Sequence, residues 1–286
     1  MFENIFSVEN LFLIGFVLIW VLIAIIQDFR KREVANWWNF SFVIFVLAYR
    51  GFVSIGQGDY RYFMWGVIGL LIGLGLANLF YYMRLFAGGD AKLLIGLSVA
   101  LPMSFDLKIN LFIFALFVGL FILGGGIYGL FYSIFVVCMN WKKFKKEFVL
   151  QFKKYIKLIL FSSVVSIFLI VFGFLSVELF FWFGILIFIS PLLLIYGKSI
   201  ELSCMNRFVD VKNLTIGDWI VEEVKVGRKK IKPNWEGLSE GELGIIQKGY
   251  KKKILVKVGI PFTPSFLLGF VALLVMFKYG GLFGIL

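Results

Sequence analysis

Two aspartates, Asp28 and Asp90, sit at the ends of strongly apolar stretches that otherwise contain almost no acid. An ionisable side chain at a membrane boundary is costly, and such residues mark functional sites by default. Two carboxylates that can meet across a helix bundle have a specific chemistry open to them. Held close together they do not both ionise readily, so one proton is shared. One group can then activate water while the other protonates the bond being broken. Each also has a plainer reading. Asp28 precedes the basic run Arg30-Lys31-Arg32, as charges commonly do at the end of a span, and Asp90 follows Gly88-Gly89 as an ordinary helix N-cap would. Taken together, at the same depth and side, they favour the functional reading.

The elements that must position them are membrane helices. Of the 286 residues, 61% are hydrophobic and 36 are phenylalanine, well above the apolar share of a soluble domain. Spans of the required length are expected near 9–27, 39–56, 62–83, 90–105, 109–139, 156–175, 179–197 and 260–285. The fold expected is therefore an all-α polytopic bundle of about eight transmembrane helices with a small α+β insert. The N-terminal decapeptide carries Glu3 and Glu9 and no basic residue, so the first span is expected to be retained rather than removed as a secretory signal.

Charge placement orients the bundle. With the N-terminus outside, 25 of the 29 Lys and Arg fall on inner segments, or at the inner ends of spans, and only Arg50, Arg61, Lys108 and Lys278 lie towards the outer side. That asymmetry follows the positive-inside rule and places both aspartates at the cytoplasmic face of the cell membrane. It also accounts for the net charge of +12 without a nucleic-acid partner. Histidine is absent and there are two cysteines, which excludes histidine-based metal sites, a Ser-His-Asp triad and a four-cysteine zinc module.

Four segments are expected: a bundle over 1–139 that holds both aspartates; a basic loop and two further spans over 140–197; a cytoplasmic insert over 198–258; and a final span over 259–286. In the insert, Ser239 and Glu242 have capping-box spacing at the head of a helix of about 14 residues. Before it, 218–226 reads as a short strand. Gly69 with Gly73, and Gly125 with Gly129, have the spacing that lets membrane helices approach closely. Gly88-Gly89 would admit another helix or a substrate backbone beside Asp90. Lys92 either influences Asp90 or snorkels to the interface, the latter being the commoner use. Asn36 could orient a polar group or simply be solvated.

Three stretches resemble the archaeal type IV prepilin and preflagellin peptidases, membrane aspartyl proteases of the GxGD type. Asp28-Phe29-Arg30-Lys31-Arg32-Glu33-Val34-Ala35-Asn36 is similar to their first motif, with Ala35 where proline is usual. Ala87-Gly88-Gly89-Asp90-Ala91-Lys92 is similar to the second, with Ala87 where strict GxGD has glycine. Gly259 to Gly269, preceded by GLSEGEL, resembles the C-terminal region of a subset of archaeal members. The resemblance implies catalytic Asp28 and Asp90, supported by Gly88, Gly89, Lys92 and Asn36. It implies no metal or organic cofactor. Its substrates would be pilin-like or archaellin precursors, with a short basic leader ahead of a hydrophobic helix, cut at the cytoplasmic face. Glu33, the acid nearest Asp28 in sequence, is the candidate for holding a basic leader.

Two other readings use the same aspartates. Presenilin and signal-peptide-peptidase relatives share the GxGD aspartate, but their first aspartate follows tyrosine, whereas Gln27 stands here, and their PAL motif is not evident. A transporter or channel could use both acids for ion coupling, though they lie near one face and no inverted repeat is visible.

Overall fold

The computed structural model describes residues 3–31, 34–86, 88–227, 229–234 and 236–279. Ten α-helices and five short strands are described: α1 (Val8–Lys31), α2 (Asn36–Gln57), α3 (Arg61–Tyr82), α4 (Gly88–Ala100), α5 (Leu107–Met139), α6 (Trp141–Lys154), α7 (Ile156–Leu175), α8 (Glu178–Ser203), β1 (Asn206–Val209), β2 (Trp219–Ile220), β3 (Val224–Val226), β4 (Lys229–Ile231), α9 (Glu240–Gly249), β5 (Ile254–Lys257) and α10 (Pro264–Tyr279). Among the described residues, six helices are long and apolar enough to cross a membrane: α1, α2, α3, α5, α7 and α8. The chain is a helical, multi-pass membrane protein.

Two of the eight expected spans are shorter. α10 has 16 described residues. α4 has 13, or about 20 Å of helix, against a hydrocarbon thickness of about 30 Å. Its early end has a local cause. Pro102 disfavours helical conformation at Leu101, so the helix stops at Ala100.

The chain divides into two compact units, Met1–Leu130 with Pro261–Leu286, and Phe131–Ile260. The final segment, set apart in the sequence reading, thus belongs with the first helices. In this first unit α1, α2 and α4 meet at Trp20, Phe42 and Gly96. The Trp20 and Phe42 rings stack with centroids 3.9 Å apart, and a Cβ on Gly96 would come within 2.9 Å of the Trp20 indole. On the other side of α4, Gly69 and Gly73 of α3 pack against Ser98 so closely that no side chain fits. The second glycine pair behaves differently. Gly125 packs on Phe262 and Ser265, whereas a Cβ on Gly129 would meet nothing. α10 is instead brought close to α5 by Gly124, Gly125 and Gly269.

The C-terminal end of α4 is tied by an arginine. Arg50 of α2, fully buried, donates to the carbonyls of Tyr62 (3.1 Å), Ala100 (3.1 Å) and Pro102 (2.5 Å). Its guanidinium carbon lies 4.5 Å from the Tyr62 ring centroid. Helix-end carbonyls within a membrane have no water to accept from, so a forked donor satisfies a real need. Gly66 makes the room, since a Cβ there would lie 2.6 Å from the Arg50 side chain. The α2–α3 turn is closed by Asp59 and Arg61, 2.6 Å apart; hydrogen bonding from Arg61 holds the Asp59 carboxyl below the usual carboxylate range.

In the second unit α7 and α8 form a close hairpin. Gly173 and Gly184 face the opposing backbone, and Ser166 Oγ donates to the Gly184 carbonyl at 2.7 Å. The insert has its own small core around Ile220, Ile246, Ile254 and Val256. Its sheet has the order β1-β5-β2, and β3 pairs with β4 as a separate hairpin. The single strand expected over 218–226 is therefore two, because β2 and β3 pair with different partners. The capping box at Ser239 and Glu242 forms as expected. The helix it opens stops at Gly249, four residues short of the lysine run's end, because 254–257 is drawn into the sheet.

Candidate functional site

Asp28 lies in the last turn of α1 and is buried. Its Oδ2 accepts from the hydroxyl of Thr263 at 2.8 Å and from the Thr263 backbone N–H at 3.4 Å. Thr263 is itself buried and immediately precedes α10, which opens with Pro264. Proline at the first helical position needs no N–H partner and suits a helix start. The carboxylate therefore sits at a helix N-terminus, where backbone dipoles favour negative charge. Gln27 Oε1 accepts from the Ala35 N–H at 3.1 Å, tying the last turns of α1 to the residue before α2.

Asp90 is the third residue of α4 and is half-buried. A Cβ added to Gly88 or Gly89 would meet nothing within 4 Å. Unlike Gly69 and Gly73, these glycines do not seat another described helix; they leave space open at the start of α4. Lys92 Nζ donates to Asn36 Oδ1 at 2.5 Å. This bond ties α4 to the first residue of α2. Glu33 and Ala87 lie outside the described residues.

Two contacts show how α1 and α4 align. Asn10, near the start of α1, donates to the Met103 carbonyl just beyond α4 at 2.8 Å. Trp20 meets Gly96. The helices are therefore antiparallel, with residues near 10 and 20 of α1 beside those near 103 and 96. From the Trp20–Gly96 contact, Asp28 is two helical turns one way along α1, about 12 Å, and Asp90 is six residues back along α4, about 9 Å. Both aspartates thus lie at the same end of a packed helix pair.

A second set of contacts joins the two motifs through the C-terminal stretch. Phe86, just before the Gly-Gly-Asp run, packs against Phe262 and Phe266, with ring centroids 6.1 Å away in each case. Phe121 of α5 completes the cluster at 5.6 Å from Phe86. Phe262 adjoins the threonine that holds Asp28. Thr263 has no role in the sequence reading. Thr-Pro ahead of an apolar run does mark a helix N-terminus, but no local pattern ties it to a residue 235 positions away.

The profile of the type IV leader peptidase family matches residues 15–140, a stretch that holds both aspartates but not Thr263. A preflagellin peptidase of Methanocaldococcus jannaschii is 34% identical over 82 residues, 29% of this chain. The aligned part covers 35% of that protein, so the chain spans about a third of the curated relative's length. No solved structure matches. The resemblance carried by the two aspartate motifs is to a type IV prepilin/preflagellin peptidase, and these matches support it.

Proposed function

We propose that the chain is an aspartic endopeptidase that removes the short basic leader from type IV pilin-like or archaellin precursors at the cytoplasmic face of the cell membrane. The observation that carries this reading is the placement of Asp28 and Asp90 at one end of the antiparallel α1–α4 pair, inside the stretch that matches a leader peptidase family. A precursor's own hydrophobic helix would lie in the bilayer alongside the bundle, which sets the leader junction at the depth of the aspartates. The open space at Gly88 and Gly89 leaves room for its backbone.

The reaction is general acid/base hydrolysis. The ionised aspartate takes a proton from water as the hydroxyl oxygen bonds to the scissile carbonyl carbon. The protonated aspartate gives its proton to the carbonyl oxygen, producing a gem-diol. The first aspartate, now protonated, then delivers its proton to the amide nitrogen as the C–N bond breaks. The second recovers a proton from one diol hydroxyl, re-forming a C=O bond. Water is consumed, the two ends of the chain separate, and the pair returns to its starting state with one proton.

Co-expression with pilin-like and archaellin precursors tests the reading, with leader removal followed by gel shift. Cleavage by the wild type, lost in Asp28→Asn and in Asp90→Asn, is the expected result. Full cleavage by either variant at wild-type abundance would remove the aspartic mechanism and favour a transport role for the two acids.

A further inference from the structure

We propose that Thr263 is a positioning residue for Asp28, so that the junction before α10, outside the stretch matched to the peptidase family, completes the catalytic site. The inference rests on the protease reading above and adds a third component to it.

The geometry is asymmetric at the level of single oxygens. Both bonds from Thr263, hydroxyl and backbone N–H, converge on Oδ2 of Asp28. Among the described residues no donor reaches Oδ1. A carboxylate free to rotate presents either oxygen; one pinned at Oδ2 by two donors presents Oδ1 in a fixed direction. Oδ1 is then the atom that takes the proton from water and later returns it to the leaving nitrogen. Charge-assisted bonds of this kind are strong and directional, and general-base efficiency depends on that direction being held.

The anchor is rigid for reasons visible around it. Thr263 is buried, and Pro264 sets its neighbour's backbone. The Phe262 and Phe266 rings on either side are packed into the Phe86–Phe121 cluster. Ser265 Oγ donates to the Phe262 carbonyl, closing the turn. Among the described residues, the charged groups towards this end of the bundle include Arg30 on α1, Asp90 and Lys92 on α4, and Arg84 on the α3–α4 turn. Lys92 is engaged with Asn36. α10 contributes no charge here, its Lys278 lying at the far end. α2 contributes none either, its Arg50 serving the opposite end of α4.

The test is steady-state kinetics of the full chain in detergent or reconstituted membranes with a precursor substrate. Thr263→Val keeps the volume and removes the hydroxyl donor. Thr263→Ser keeps the donor and removes a methyl. The expected result is a kcat at least about tenfold lower for Val, with KM within about twofold of wild type, and a Ser variant near wild type. Thr263→Cys, whose S–H is a weak donor of similar size, is expected to be slow as well; it decides the matter if the Val variant does not accumulate. Wild-type kcat in the Val or Cys variant, a loss confined to KM, or a Ser variant as slow as Val would overturn the assignment. Failure of the wild type to cut any precursor would instead sink the protease reading. Wild-type cleavage beside an unimpaired Val variant sinks only the role of Thr263.

Discussion

Asparagine at position 28 or 90 keeps nearly the shape of aspartate but cannot cycle a proton. On the proposed aspartic mechanism, each single substitution should abolish leader removal while leaving the protein in the membrane, and the double variant should be little worse than either, because the pair would act as a unit. Comparing precursor processing at matched abundance reads this directly. Glu33→Gln should raise KM for a basic-leader substrate more than it lowers kcat, since it would remove binding common to the ground and transition states; unchanged kinetics would rule out that role. Packing predictions at single residues are sharper. A Cβ on Gly73 would lie 2.5 Å from Ser98 Cβ, and one on Gly69 2.3 Å from the Ser98 carbonyl. Gly73→Ala should cost about 1–3 kcal/mol of stability by forcing α3 from α4. Gly75→Ala, where nothing lies within 4 Å, should be neutral or stabilise slightly through helix propensity. Thermal unfolding in detergent separates the two. A Gly73→Ala variant as stable as wild type would show that α3 and α4 are not in close contact.

Among elements, α4 is the one whose role depends on its length. Because it ends at Ala100, its carbonyls finish within the apolar bundle, and Arg50 is the group that meets them. Arg50→Met should destabilise the protein by about 2–4 kcal/mol, leaving three acceptors without their donor. Arg50→Lys should recover only part of this, since an ammonium cannot span all three with a planar fork. A thermal scan in which Met equals wild type would refute the tie. The long spans could be read from hydropathy alone, and the aspartates from their isolation in apolar sequence. So could the capping box, because its two residues are three apart and its physics is local. What could not be read is non-local. Arg50 looks like an outer-boundary charge until Ala100 and Pro102 are placed beside it. Lys92 finds Asn36 across 56 positions, and Thr263 finds Asp28 only once α10 is packed. The break between β2 and β3 likewise follows from pairing choices made elsewhere in the insert.

For the whole molecule, positive-inside placement predicts that the junction of α5 and α6 faces the cytoplasm. Cys138, exposed near the end of α5, is a natural reporter. An impermeant thiol reagent should leave it unlabelled in sealed cells and label it after permeabilisation; labelling in sealed cells would reverse the orientation. Cys204 is buried among Val137, Phe144 and Ile200, and should react only on unfolding. The buried arginine also bears on how the chain is made. Translation proceeds from the N-terminus, so α2 reaches the lipid carrying Arg50 before Ala100 and Pro102 exist. An arginine at the centre of a nascent helix costs about 2.5–3.5 kcal/mol to insert, and one displaced towards a helix end costs less; here the Tyr62 carbonyl follows 12 residues later, but the other two acceptors arrive some fifty residues later. A nascent chain stopped at Tyr82 should hold α2 loosely, slipping in and out of the bilayer or lingering at the translocon. One extended to Asp106 should lock it. The order of synthesis thus makes the second helix a late arrival, settled only when the end of the fourth and the turn after it supply two of the three carbonyls that its charge requires.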